Sequence, residues 1–283
     1  MPALAPLRVV GPPPKAPLYS LVSTPETLVE QSDPHWRGGV SVDSYPVETP
    51  VRHYPCSTGT ARVKPEGEEP PTPEFPSFTV LIPITCSGMG IGDTTGAELL
   101  RRRVREAFVA RESFGVEQQL ILGDPAEAGD PHVADSDLVK PNGNTMVSPR
   151  EAVAILEREI GETAQQGMLH IPPDIYAAMP ADYFVVDGRT TRTKRGNTVI
   201  IGNGYIGATP DDYDPGNLSA DQGWVWATGL VRATRDPDVT VPLFPDVFNE
   251  ETNQLTFRAE RNYVVYWDTA LQVGVPVDRS LTP

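Results

Sequence analysis

The chain has 283 residues, 39% of them hydrophobic, with 31 prolines and a formal net charge of -15. That length and apolar content suffice for one large domain or two small ones with buried cores, which excludes a wholly disordered protein. The acid excess excludes a surface that grips nucleic acid through clustered Lys and Arg, and no run of about 18 apolar residues offers a membrane span.

Residues 1 to 44 carry "GPPPKAP" and no lasting period, and 16 of the prolines fall in the first 80 positions. Such a segment cannot order by itself and is expected to be an extended arm lying on neighbouring subunits. "MPALAPLRVVGPPPK" lacks the continuous apolar core of a signal peptide, so synthesis in a cytoplasm is expected. Residues 45 to 87 read as two strand-like runs, "YPVETPVRHYPCSTGTARV" and "SFTVLIPITCS", around the acidic, proline-rich "KPEGEEPPTPEFP". A two-stranded arm of this kind is marginal alone in water and also needs a partner surface. Cys56 and Cys86 are too few for a disulfide framework and have no Cys/His companions for zinc; free thiols are expected, with a bridge in oxidising surroundings as the alternative.

"TGAE" predicts a helix capped by Thr95, with Glu98 completing the capping box. Leu100, Val104, Ala107, Phe108, Phe114, Leu120 and Ile121 recur at helical spacing, and Gly123 is the expected stop. At 1.5 Å per residue this element spans roughly 40 Å, a spine and not a connector. Arg101, Arg102, Arg103, Arg105 and Arg111 lie mainly off the stripe. Glu98, Glu106, Glu112 and Glu117 interleave with them, which predicts a solvated, ion-paired surface more than a phosphate site.

After a loop at 124 to 147, Ser148, Pro149 and Glu151 predict a second capped helix running to Gly167 through Val153, Leu156 and Ile160. "MLHIP" and "ADYFVVD" read as strands around a helical turn, "PDIYAAM". "GWVWATGLVRAT", residues 223 to 234, is apolar on both faces, as a central strand is. From Leu255 to Val277 the odd positions are apolar almost throughout, predicting one long half-buried strand bent near Asp268 and Thr269, with Arg261 the one break in its apolar face before the bend. The chain is an α+β protein with no internal repeat.

"VIIGNGYIG" has the spacing of a dinucleotide-binding turn, Gly202, Gly204 and Gly207. That chemistry needs a helix after the glycines, whose free N–H groups hold the pyrophosphate. Pro210, Pro215, Gly216 and Gly223 forbid one, so no cofactor is expected and the glycines read as a turn where backbones approach closely. "CSGMGIGD", 86 to 93, lacks the Lys of a phosphate loop and reads as a joint. "DDYDPGN", 211 to 217, reads as an acidic turn, since its spacing is not that of a helix-flanked calcium loop. There is no nucleophile elbow, and His35, His53, His132 and His170 are scattered singly, with His170 the most enzyme-like.

The order of elements, with "ARESFGVEQQLILGD", "AVAILEREIGETAQQGMLHIPPDIYAAM", "VIIGNGYIG", "VWATGLVRA" and "FRAERNYVVYWDTALQVGVPVD", resembles the capsid proteins of tailed bacteriophages with the Hong Kong 97 type fold, those of actinobacteriophages in particular. The resemblance implies an N-terminal arm (1 to 44), a two-stranded E-loop (45 to 92), a spine helix with part of the peripheral domain (93 to 147), a mostly axial domain (148 to 250) and a closing peripheral strand (251 to 283). It implies a structural, non-enzymatic subunit, preferably the major capsid protein. Such subunits form hexamers and pentamers of an icosahedral shell in the virion, assemble in the host cytoplasm and enclose double-stranded DNA without reading its sequence. With Met1 present, any scaffold is expected to be a separate protein, alongside portal and decoration proteins; no cofactor, metal or membrane is implied. Some members crosslink an E-loop lysine to an asparagine, and Lys64 lies in the matching region. Lys64, Arg101, Arg102, Arg105 and Gly204 are the candidate assembly residues. An encapsulin-like compartment and a cytosolic α+β enzyme are the alternatives.

Overall fold

A computed structural model of the chain describes residues 12–30, 34–44, 72–87, 94–124, 130–135, 138–163, 165–242, 248–249 and 254–281. In chain order its elements are β1 (Leu28–Glu30), β2 (Val40–Ser41), β3 (Glu74–Phe75), β4 (Phe78–Ser87), α1 (Thr94–Leu122), α2 (Pro149–Glu162), β5 (Met168–Ile171), α3 (Pro173–Ala178), β6 (Phe184–Asp187), β7 (Thr190–Thr193), β8 (Thr198–Ile201), β9 (Gln222–Thr228), β10 (Arg232–Arg235), β11 (Phe248–Asn249), β12 (Gln254–Tyr266) and β13 (Gln272–Asp278). The expected first strand of the 45 to 87 arm, its acidic tip from Lys64 to residue 71, His53, Cys56 and most of the 86 to 93 joint lie outside the described residues, while the end of the tip forms β3.

The alternation from Leu255 does what period-two patterning requires. β12 is the axis of a first sheet, with β4 antiparallel along one edge, from Gln254 opposite Ser87 to Tyr263 opposite Phe78. β10 and β11 pair with its other edge, and β1 adds parallel to β10. The apolar set Phe257, Ala259, Tyr263 and Val265 faces the core. The second sheet has the order β13-β9-β5-β8-β7-β6, with β5 and β8 parallel and the rest antiparallel.

Both faces of the second sheet's centre are buried, which is why its strands read as apolar throughout. Trp224, Trp226, Met168 and Ile200 face a core shared with α1 and the first sheet. Their alternate neighbours Val225, Ala227, Leu169 and Val199 face α2, whose Ala152, Val153, Leu156 and Ile160 form the apolar stripe. α2 starts where the sequence places it: the Ser148 hydroxyl accepts the Glu151 N–H at 3.4 Å. It ends at Glu162, before the expected Gly167.

Three expectations change. The helix of the spine begins at Thr94, so Thr95 lies in its first turn and does not cap it; Asp93, Thr94 and Thr95 are all cap-type residues, and composition alone cannot choose among them. "GWVWATGLVRAT" is not one strand, because β9 belongs to the second sheet and β10 to the first. The run from Leu255 to Val277 likewise divides, β12 in the first sheet and β13 in the second, so residues 251 to 283 are not a single closing strand. The two crossovers sit against each other: a Cβ on Gly229 would lie 3.1 Å from the Asp268 carbonyl oxygen. Chain continuity therefore ties the sheets together twice at one place.

Gly204 follows β8 in the 3-10 turn Asn203–Tyr205 and packs on the chain's own long helix. A Cβ there would lie 2.5 Å from the Glu117 Cβ, 2.7 Å from the Phe114 carbonyl oxygen and 2.9 Å from the Gln118 nitrogen. Two of these atoms are helix backbone and cannot step aside. Gly204→Val is therefore expected to destabilise the fold by more than the roughly 1–3 kcal/mol typical of an overpacked core; a denaturant midpoint within error of the wild type would contradict this.

Candidate functional site

α1 carries two carboxylates that the sequence pattern placed on a solvated face, and both are buried. Glu112 is 7% exposed and Glu117 fully enclosed. At 100° per residue, five positions turn the helix by about 140°, so the two point to different sides.

Glu112 faces the first sheet. Arg235 of β10 reaches one of its oxygens at 3.1 Å, and Arg261 of β12 reaches the other at 2.9 Å. The Tyr263 hydroxyl donates to the same oxygen as Arg261 at 2.7 Å, and burial together with the adjacent carboxylate pushes that phenol well above its ordinary range. The one break in the apolar face of the last strands is therefore the cation that matches a buried anion, and it also lies over the Phe108 ring at 5.8 Å.

Glu117 faces the opposite way and has no cation in ion-pair range among the described residues. Its oxygens accept the Leu21 N–H at 3.1 Å and the Gly204 N–H at 3.0 Å, with a further backbone bond from Asn203. Ser20 and Ser113 bond side by side at 2.8 Å. The carboxylate thus ties the segment before β1 and the turn after β8 to the same helix. Burial pushes its pKa up to about 7, against the pull of the three N–H donors. Beside it, the Tyr205 hydroxyl meets His170 Nδ1 at 3.0 Å, and His170 Nε2 meets the Thr228 hydroxyl at 2.9 Å. Burial drives the His170 pKa down to about 3 and the Tyr205 phenol far up, with Glu117 adding to the latter shift. His170 is a neutral, doubly bonded residue with no solvent contact, a packing histidine joining β5, β9 and the turn after β8.

The candidate assembly residues do not converge. Lys64 lies outside the described residues. Arg101 pairs with Glu98 and lies 5.8 Å over the Phe257 ring; Arg102 is exposed, 3.7 Å from Glu106; Arg105 is exposed. Interleaved ion pairing holds for the first turns of α1 and fails for Glu112 and Glu117. Phe114, expected in the apolar stripe, is 36% exposed. The acidic turn 211 to 217 is used locally: Asp211 meets His132 at 3.0 Å, Lys140 bonds Asp212, and Asp214 accepts the Gly216 N–H at 2.9 Å. No group of three or more His, Cys, Asp or Glu among the described residues is placed to hold a metal.

No family model matches the chain, and no curated protein matches it. Solved structures do. A chain from Mycobacterium phage Che8 aligns over 100% of this chain and 98% of its own length, with a TM-score of 0.52 at 9% identity. The capsid of an empty GTA particle aligns over 98% of this chain and 94% of its own, with a TM-score of 0.51 at 14% identity, and the capsid of the native GTA particle does so at 13%. The chain has the Hong Kong 97 type fold. α1 packs on β4 and β12 of the first sheet and on the turn after β8, and Glu112 and Glu117 hold it there.

Two measurements test the site. Glu112→Gln leaves Arg261 buried without its carboxylate and is expected to cost about 3–5 kcal/mol of unfolding free energy; a loss under about 1 kcal/mol, the scale of a surface pair, would contradict this. The second concerns pH. Glu117 holds its proton in the native state up to about 7, above its unfolded value of 4.5, so its contribution is full below 4.5 and falls as pH rises to 7. His170 stays neutral in the native state down to about 3, below its unfolded value of 6.5, so its contribution is full above 6.5 and falls on acidification. Between pH 4.5 and 6.5 the two dependences have opposite sign and offset each other. Glu117→Gln is expected to expose the histidine slope, giving a variant that loses stability on acidification through this window faster than the wild type. Parallel profiles for the two proteins would refute the assignment.

Proposed function

We propose that the chain is a structural subunit of a tailed-phage type head, a major capsid protein that self-assembles into the icosahedral shell around packaged double-stranded DNA. The observation that carries this reading is the end-to-end match of fold: the alignments with the Che8 chain and the GTA capsids leave almost none of this chain or of theirs unmatched. The chemistry is compatible with a structural role, because the buried titratable groups Glu112, Glu117 and His170 join elements to one another.

In this reading α1, β4, β10 and β12 form the peripheral domain, while α2 and the sheet β13-β9-β5-β8-β7-β6 form the axial domain that meets its copies around capsomer axes. Residues 1 to 44 are the arm, which does not depend on neighbours alone as expected, since Leu21, Val22 and Trp36 pack into this chain's own core and β1 joins its first sheet; residues 45 to 92 are the E-loop. Hexamers and pentamers of this subunit make the shell, with scaffold, portal and decoration functions supplied by other proteins and the virion as its location. A net charge of -15 lets packaged DNA lie against the wall without adhering to it.

Electron microscopy of the purified chain tests the proposal. Closed shells, or sheets of hexamers, are expected on concentration. A small discrete oligomer that forms neither under any condition of salt or crowding would overturn it.

A further inference from the structure

Residues 17 to 30 touch both sheets and the long helix. The Tyr19 carbonyl accepts the Ile201 N–H of β8 at 2.8 Å. Ser20 and Leu21 meet α1 through Ser113 and Glu117. The Glu26 carboxylate bonds Arg192 of β7 and, at 3.0 Å, the Thr198 hydroxyl of β8. The Thr27 carbonyl accepts the Ala233 N–H at 2.8 Å where β1 joins β10. The enclosed face of this segment is largely polar. Ser20, Thr24 and Thr27 are buried, and Leu21 and Val22 are its anchors in the apolar core. Hydrogen bonds exchanged with water contribute little net, so a segment held mainly by them belongs to the low-stability end of a fold.

Glu117 couples the docking of this segment to a proton. The carboxyl is enclosed between α1, the segment and the turn after β8, and takes the Leu21 N–H on one oxygen and the Gly204 N–H on the other. The titratable groups nearest it are the Tyr205 phenol, from the turn, and His170 of β5 behind that phenol, both neutral between pH 4.5 and 8. Glu26 of the segment is turned to Arg192 and Thr198, and Glu112 is occupied by Arg235 and Arg261 on another side of the helix. Lifting the segment removes the Leu21 donor and admits water, so the carboxyl falls from about 7 back toward its ordinary value of 4.5. The docked form thus holds a proton that the lifted form gives up. Docking has its full support below 4.5 and loses it as pH rises to 7.

We propose that residues 17 to 30 are a proton-gated strap, docked across α1 and both sheets while Glu117 carries its proton, whose lifting as one unit, with the sheets still folded, is favoured when that carboxyl ionises. The strap is a property of the single subunit and stands apart from the shell reading. Hydrogen exchange of the full chain tests it, read by mass spectrometry on peptides covering residues 17 to 30 between pH 4.5 and 8 and corrected for the intrinsic pH dependence of amide exchange. In the wild type, strap protection is expected to fall on the order of tenfold or more as pH rises to 7, with no matching fall in β5, β9 or β12. Ser113→Ala removes the bond to Ser20 but keeps Glu117; it is expected to lower strap protection about two- to tenfold at every pH and to retain the fall. Glu117→Gln cannot ionise and is expected to exchange its strap at a level independent of pH. Wild-type strap protection that is constant across the range, a fall that persists in Glu117→Gln, or strap amides that open only together with those of the sheets would each overturn the proposal. If Glu117→Gln does not fold, the profiles of the wild type and Ser113→Ala decide it.

Discussion

One helix holds two sheets, and it does so with charge as well as apolar surface. α1 buries Val104, Phe108, Val116, Leu120 and Ile121, but apolar contact is non-directional and would allow the helix to turn or slide. Glu112 and Glu117 remove that freedom. The first is satisfied only when Arg235, Arg261 and Tyr263 of the first sheet stand at their observed places. The second is satisfied only when Leu21 and Gly204 bring their N–H groups to the other side. A buried carboxylate without partners is costly enough to disfavour other registers of helix on sheet.

The rest of the architecture follows from that constraint. Chain crossing at Gly229 and at Asp268 carries two strands from one sheet to the other side by side, so the sheets share a junction as well as a helix. The turn after β8 has glycines where it does because Gly204 must reach the backbone of α1 before its N–H can meet Glu117. In the shell proposed for this chain, a subunit that repeats many times needs one well-defined shape, since small errors in angle accumulate around a closed surface. Placing directional polar contacts on two sides of the central helix meets that need.

Much of this was legible in the sequence where periodicity was clean. The cap at Ser148, the stripe of α2, the short strand at Met168 and the alternation of β12 are local signals and stand as read. The switch of strands between sheets was not legible: Gly229 and Asp268 look like ordinary bends, and which sheet each half joins depends on pairings far away in the chain. The buried glutamates were obscured because Arg and Glu alternate along the first turns of α1, where they do pair on the surface, and the same composition continues into the half that is enclosed. Arg261 was the available signal. A lone cation in the apolar register of a long strand implies a buried anion opposite it, and reading it that way would have pointed to a glutamate of the helix. Glu117 left no such trace, because its partners are backbone N–H groups, which every sequence supplies.

The central claim is that α1 makes the two sheets one cooperative body. Native-state hydrogen exchange measures this directly, since amides that open together share an opening free energy. The account predicts that the slowest amides of β10 and β12 and those of β5, β8 and β9 exchange with a common free energy and the same dependence on denaturant. A second sheet that opens at clearly lower free energy while the first remains protected would contradict it.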